Sequence, residues 1–510
     1  VTFILKLRKA VPIWLCVLML VYSAVFGWLS VFKHNTFHSF TYDLGIMLQV
    51  VWNTSQGRPF EVSLDRPDDT ELVGSYMGNH VRPFFLLIAP LYRLWPEPRM
   101  LLALQSVALA LGALPLYWIA RRELRSKVFQ VLLIVCYLLY PALGFISLFD
   151  FHPVAFCVPA LLFAYWALLE KRDVLFWVMI ALTISTKEEL VVPVAAFGIY
   201  CLFRPEWRKK GMWMLAISTA WAILCFFVFI PYANEGRPYR FFELWSHLLP
   251  GGDEGGGQSG SLASLFSIDA VYFIIHLLVP LGFICVLEPG LLAVSLPSLA
   301  YLLVSNRANL YRVGHQYPAV LIPWLFLATL YGLAKLERWP RMRPLTKRWL
   351  PLMLLLVGTL GVQLKFNPIL VSYLSGYLIR MPYDSQVHEA LVQIPPDAGV
   401  ATINSFGPHL SHRRYLLGID KYALPLNPDH FQYVDYVLFD LVDCRAVRVD
   451  DPRGHYAEVV YEVLDSGEFG VRYWSDRILL LERGLPPGEE VDEVRAYVDD
   501  LVEKKRPCWP

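Results

Sequence analysis

The chain has 510 residues, 56% of them hydrophobic and only 17% charged, with 45 Lys and Arg against 44 Asp and Glu and a formal net charge of +1. Soluble domains carry about 25% charged residues, so large stretches must lie out of water, and the balanced charge offers no basic excess for nucleic acid. The apolar residues cluster in runs of roughly 15 to 22, the length that crosses about 30 Å of hydrocarbon, which excludes a single core built from amphipathic segments.

Lys6, Arg8 and Lys9 precede the first apolar run, 11–32. It is longer than the roughly 7–15 residues of a signal-peptide core and lacks a small-residue cleavage site, so it reads as a membrane span. Further spans are predicted at 99–120, 128–149, 152–170, 174–186, 190–203, 212–231, 269–287, 290–305, 317–335 and 349–366. The positive-inside rule orients them. With the N-terminus cytoplasmic, the cytoplasmic loops hold Arg121, Arg122, Arg125 and Lys127, then Lys171 and Arg172, then Arg204, Arg208, Lys209 and Lys210, and finally Lys335, Arg338, Arg341, Arg343, Lys347 and Arg348. About 11 spans place the C-terminus outside the cytoplasm.

The outer loop 33–98 contains HNTFHSFTYDLGIMLQVVWN. Asp43 stands there ahead of a helical run, where a carboxylate can act as general base, hold a divalent cation, or simply cap the helix. The same loop carries Asn79, His80 and Arg82 before 81–95, an apolar stretch too short to span and read as re-entrant or interfacial. Asp150 and His152 lie in the turn SLFDFHPVAF; they suit a metal or a phosphate, or form a capped turn with Pro153 opening the next helix. Lys187, Glu188 and Glu189 interrupt 174–203, so two short helices should meet there at an outer-facing polar break.

Within the loop 232–268, PGGDEGGGQSGS reads as a flexible insert. The next outer loop, SNRANLYRVGHQYP, holds Arg307, Arg312, His315 and Tyr317. Arginine there runs against the positive-inside bias and suits a phosphate, whether of a substrate or a lipid headgroup. From about 381 the composition is that of a soluble domain. GVATI, YVDYVLFDL and RILLLERG read as strands, and HEALVQI and HYAEVVYEVLDS as helices, giving a small C-terminal α/β extracytoplasmic domain, 381–510, after a membrane module, 1–380. His409, His412, Arg413 and Arg414 in SFGPHLSHRRYLL could form a basic edge or a solvated loop. Six cysteines lie in apolar runs as small hydrophobes, while Cys444 and Cys508 could pair in an oxidising compartment.

The candidate polar residues share one side of the membrane, at span ends and breaks. Transfer of a sugar from a lipid-linked phosphate would use such a site: a base for the acceptor, cations against the leaving phosphate, and entry from lipid. Mg²⁺ or Mn²⁺ could supplement the arginines.

The order YDLGIMLQVVWN, GNHVRPFFLLIAPLYRLWP, LLALQSVALALGALPLYWIAR, FDFHP, STKEEL, GHQYPAVLIPWL and SFGPHLSHR resembles bacterial membrane proteins of the domain of unknown function 2079, over roughly 40–430. That family is grouped with the GT-C glycosyltransferase superfamily, whose members use polyprenyl-phosphate sugars outside the cytoplasm. The resemblance implies a GT-C-like module in which Asp43 matches the essential acidic residue of the first outer loop and Asp150 a second acidic motif. Two departures stand out: Leu44 follows Asp43 where many relatives have an Asp–Glu pair, and Asp150 opens Asp-Phe-His.

The resulting expectation is an inverting transfer between a polyprenyl-phosphate-linked sugar and an unidentified acceptor. Asp43 is base or metal ligand, and Asp150 and His152 support it, Asp150 as a second metal ligand. Arg307, Arg312 and His315 grip the phosphate, with His80, Arg82, Lys187, Glu188 and Tyr317 also binding substrate. The alternatives are a transporter or lipid flippase, and a non-catalytic envelope assembly protein.

Overall fold

The computed structural model describes residues 11–64, 71–242, 267–305, 307–340, 343–419, 428–443, 452–475 and 477–504. Lys6, Arg8, Lys9, Arg341, the Gly/Ser-rich stretch, Cys444 and Cys508 lie outside these residues. The chain divides into two compact units, each discontinuous in sequence: Val1–Val31, Met77–Phe84 and Arg99–Tyr377 form one, and Phe32–Tyr76, Phe85–Pro98 and Leu378–Pro510 the other.

The first unit is helical. Among the described residues five helical stretches are long and apolar enough to cross a membrane: Ile13–Asn35, Pro98–Glu123, Lys127–Leu148, Arg208–Ala233 and Pro344–Leu374. Pro98–Glu123 and Lys127–Leu148 are 72% and 78% buried over their most apolar windows, against 22–28% for the other three. The former pair are interior helices, and the latter present Val17, Leu20, Trp28, Trp213, Phe227 and Leu364 outward. Apolar side chains so displayed suit contact with lipid rather than water. Polar side chains tie the first helix down: the Tyr22 hydroxyl donates to Leu143 O (3.0 Å) and Ser30 Oγ to Ser147 O (2.6 Å).

Other apolar helices are short, and the sequence accounts for their ends. The predicted run 269–287 forms helix Ile268–Leu278 and then two short 3-10 turns, Val279–Leu281 and Ile284–Leu287. Between them Gly282 and Phe283 both have φ +56°. A Cβ at Gly282 would meet the Leu354 backbone at 2.8 Å, so the close approach and the left-handed conformation both call for glycine. The run 174–203 breaks where its charges lie. Helices Asp173–Thr186 and Val191–Leu202 are separated by an extended Lys187 (φ −169°, ψ 146°) and the 3-10 turn Glu188–Leu190. The run 317–335 starts as a 3-10 turn, Tyr317–Val320, before helix Ile322–Arg338. The six cysteines in apolar runs are free thiols, all buried except Cys16.

The second unit contains a five-stranded mixed sheet. After the two-residue pair β1 (Glu61–Val62) and β2 (Gly74–Ser75) come β3 (Val400–Thr402), β4 (Leu416–Gly418), β5 (Tyr436–Asp440), β6 (Phe469–Ser475) and β7 (Ile478–Arg483). The sheet order is β4-β3-β5-β7-β6, with β4 and β5 parallel to β3 and β7 antiparallel to both β5 and β6. Every residue of β5 is buried, as befits a strand covered on both faces. At its end Asp440 accepts from Arg477 Nε (2.8 Å) and from the N–H groups of Val442 and Asp443.

The same unit takes in residues 32–76. Thr41 N–H donates to Asn404 O (2.8 Å), and the Gln49 amide donates to Ser63 Oγ (2.8 Å) and to Arg413 O (3.1 Å). Ser63 Oγ donates to Leu416 O (2.8 Å) and accepts from Leu416 N–H (2.9 Å), so one hydroxyl completes the edge of β4. Helix Phe84–Leu94 is amphipathic, burying Phe85, Ile88, Ala89 and Tyr92 while Leu86, Leu87, Leu91 and Leu94 face out.

Candidate functional site

The helical unit gathers its charged residues where its backbone is irregular. Glu188, in the break after Thr186, is fully buried and accepts three hydrogen bonds. They come from His80 Nδ1 (2.7 Å), the Tyr239 hydroxyl (2.7 Å) and Val81 N–H (3.0 Å). A buried carboxylate is costly unless so satisfied. Burial raises its pKa, but the charge and hydrogen bond of His80, then the charge of Lys187 and the Tyr239 hydroxyl, more than offset that, and Glu188 stays below the ordinary carboxylate range. Burial pulls the His80 imidazole down to about 3 against the opposing pull of Glu188, with Arg82 and Lys187 adding to the depression. One hydrogen bond joins the imidazole to the buried carboxylate. Phe241 stacks on the imidazole, with centroids 4.7 Å apart and planes at 8°.

The neighbouring residues extend this network. Lys187 Nζ pairs with Glu189 (2.8 Å), which also accepts from the Tyr301 hydroxyl (3.2 Å), and the same ammonium lies 5.9 Å from the Tyr317 ring centre. Tyr317 is near His315, whose ring lies 4.9 Å from Phe149, and Phe149 stacks on His152 at 5.3 Å. Asp150 and His152 are 2% and 3% exposed, so their turn is interior. It is held by Gln105, whose amide donates to Asp150 O (2.9 Å) and accepts from His152 N–H (2.7 Å).

His80 and Glu188 thus share one polar cluster with the charges of Arg82 and Lys187 acting on it, and ring contacts lead from Lys187 through Tyr317, His315 and Phe149 to His152, two residues after Asp150. Arg307 and Arg312 flank the 3-10 turn Ala308–Tyr311 and are exposed. The simple cap at Asp150 is not the arrangement found: His152 occupies the N-cap of the following 3-10 turn and Pro153 opens it. Sequence reasoning passed over Gln105, Tyr239 and Tyr301. Gln105 had a signal, a lone amide inside LLALQSVALA; an amide there needs partners within the protein.

Asp43 belongs to the other unit. It is the third residue of a single π-helical turn, Thr41–Gly45, and half-buried; the N-cap of that turn is Phe40, with no side-chain cap. The motif SFGPHLSHRR lies beside this turn, and its arrangement corrects the basic edge or solvated loop read from the sequence. Arg413 is buried, donating to Leu410 O (2.7 Å) and Ala398 O (2.7 Å), and burial lowers its pKa to about 10. His412 Nε2 meets the Tyr92 hydroxyl, His409 stacks on His34, and only Arg414 reaches outward, to Glu61. The positive groups turn inward because backbone carbonyls of this compact loop need donors.

Among the described residues no three His, Cys, Asp or Glu side chains gather to hold a metal ion. The ligand role expected of Asp43 and Asp150 therefore has no such cluster around it. What the helical unit does offer is buried charge beside aromatic rings.

The family model described as "Predicted membrane protein (DUF2079)" matches residues 33–480. No curated protein matches the chain. Among solved structures, ArnT from Cupriavidus metallidurans bound to undecaprenyl phosphate is similar with a TM-score of 0.55 and 11% identity, over 93% of this chain and 99% of that one. The apo state of the same protein gives 0.53 and 13% identity, over 91% and 97%. These likenesses show an ArnT-like fold.

Proposed function

Because the chain belongs to the DUF2079 family of predicted membrane proteins, and because its fold is that of ArnT, we propose that it is a GT-C-type glycosyltransferase. It would move a sugar from a polyprenyl-phosphate donor to an acceptor on the outer side of the cytoplasmic membrane. The observation that carries this reading is the buried polar cluster of the helical unit, in which Glu188 is held by His80 and Tyr239 with the Lys187–Glu189 pair beside it. Undecaprenyl phosphate bound to ArnT supports the lipid-phosphate part of the donor.

In this reading Arg307, Arg312 and His315 receive the lipid phosphate, and Arg82 and Lys187 neutralise charge as it leaves the sugar. The acceptor oxygen attacks the anomeric carbon opposite the phosphate, and the carbon–oxygen bond breaks with its electron pair going to the phosphate. Asp150 and His152 support this step, and the acceptor hydroxyl gives up its proton to a general base, the role that the family resemblance gives to Asp43. No step is assigned to Mg²⁺ or Mn²⁺.

The test uses the full chain in nanodiscs with a panel of undecaprenyl-phosphate-linked hexoses and pentoses and a host lipid extract as acceptor. The wild type is expected to release undecaprenyl phosphate from at least one donor. Asp43→Asn and Asp150→Asn are each expected to slow it about 100-fold. Full transfer by both variants would remove these carboxylates from the mechanism, and a wild type inert to every donor would sink the transferase reading.

A further inference from the structure

The helical unit contains a space that its own side chains do not fill. Helix Ile13–Asn35, the stretch Lys127–Leu148 and the stretch Pro344–Leu374 enclose a cavity of about 270 Å³. We propose that this groove binds one acyl chain of a bilayer phospholipid, held as a resident ligand of the helical unit. The inference is independent of sugar transfer, and neither stands or falls with the other.

The groove opens where a helix breaks. Helix Lys127–Leu138 stops at Leu139, and Pro141 opens the next segment, Pro141–Leu148. Proline has no N–H to continue the ladder, so backbone carbonyls ahead of it need other donors. Gln363 supplies one. Its amide donates to Leu139 O, its carbonyl accepts from Asn367 Nδ2 (2.7 Å), and Asn367 Oδ1 accepts from the N–H groups of Ile369 and Leu370. The hydroxyls of Tyr22 and Tyr140 donate to Leu143 O (3.0 Å) and Leu277 O (2.7 Å). The polar groups that border the groove are therefore bonded within the protein, and the surface they leave to a ligand is carbon. The wall is tight at Gly144, where a Cβ would meet Pro368 at 2.7 Å and Phe26 at 3.0 Å.

The surroundings identify the occupant. Val21, Val25 and Leu139 at the rim are exposed and belong to stretches long and apolar enough to cross a membrane, so the mouth faces hydrocarbon. An empty gap there would forfeit the dispersion contacts of its lining, and the chains within reach are those of the matrix phospholipids. Among the described residues that line it there is no Lys, Arg or His. A site for a phosphate calls for such cations; this one recognises the chain and not the head group. Helix Ile13–Asn35 and the stretch Pro344–Leu374 are each only 28% buried over their most apolar windows. A chain lying between them adds contacts to two weakly held walls, and as a ligand of the folded state it stabilises that state by mass action.

Native mass spectrometry of the full chain released from nanodiscs tests this. The discs contain phosphatidylglycerol or phosphatidylcholine with identical acyl chains, each with a small fraction of undecaprenyl phosphate. Wild type is expected to retain one phospholipid from either disc. Val21→Trp, whose indole enters the groove from the rim, is expected to lose it, and Val17→Trp, at an exposed position of the same helix outside the groove, to keep it. Delipidated wild type is expected to melt at a higher temperature once phospholipid is returned, a shift that Val21→Trp should lack. A second measurement needs no variant: cryo-EM of wild type in discs of phospholipid brominated on its acyl chains is expected to show bromine density between Tyr22, Leu138 and Ile369. If both tryptophan variants lose the lipid, the bromine map decides. Unchanged retention by Val21→Trp, a map without bromine in the groove, or retention of undecaprenyl phosphate in place of phospholipid would each overturn the site.

Discussion

His412 illustrates how burial changes the meaning of a residue. In the sequence it is one of four positive or near-positive groups within six positions, 409–414. In the structure its Nε2 is hydrogen-bonded to the Tyr92 hydroxyl and its ring lies near Trp52, and burial lowers its pKa to about 4, with Arg413 adding to the shift. The unfolded imidazole takes up its proton below about 6.5, so between that pH and about 4 the unfolded state binds more protons than the folded one. Stability of this unit is therefore expected to fall as pH drops through that window, by up to about 3 kcal/mol. Thermal unfolding of wild type and His412→Gln between pH 7 and pH 4 checks this: the variant should lose the His412 contribution to the slope. Neither the sign nor the size of this effect was legible in SFGPHLSHRR, because both depend on Tyr92 and Trp52, hundreds of residues earlier in the chain.

At the scale of elements, local composition announced most of the breaks. Lys187, Glu188 and Glu189 interrupt an apolar run, and the backbone leaves the helix at Lys187. GVATI, YVDYVLFDL and RILLLERG became β3, β5 and β7, since β-branched and aromatic runs suit a covered sheet. The edge strands were harder. β4 has three residues and its ladder is completed by Ser63, while β6 is mostly half-exposed with a register shift between Val471 and Tyr473, so neither shows a clean alternation. The break at Gly282 was also silent, because what requires glycine there is the backbone of Leu354. Gly282→Ala is expected to destabilise the helical unit by about 1–3 kcal/mol, read as a lower melting temperature in detergent. An unchanged melting temperature would mean that the two segments separate at little cost.

At the scale of the molecule, the division of the chain does not follow its order. Residues 32–76 and 85–98 belong to the same compact unit as 378–510. Thr41, Gln49 and Ser63 complete hydrogen bonds of Asn404, Arg413 and Leu416 that a C-terminal fragment would leave open. A fragment spanning 378–510 is accordingly expected to lack a cooperative unfolding transition, and adding 32–98 to it should restore one. A sharp transition in the shorter fragment would show that the earlier segments contribute little to that unit's stability.

Membrane class, the short apolar segments and the placing of charge at their ends were determined by the sequence alone, because hydropathy and helix-breaking act over a few neighbouring residues. The C-terminal strands with strong β patterning belong to the same category. Which side chains meet was decided only by the tertiary structure. His80 and Glu188 are 108 residues apart, Tyr239 is 51 beyond Glu188, and Ser63 reaches Leu416 across 353. Polar groups kept from water must find partners wherever the packed helices and sheet bring donors and acceptors together, and no local pattern records that choice.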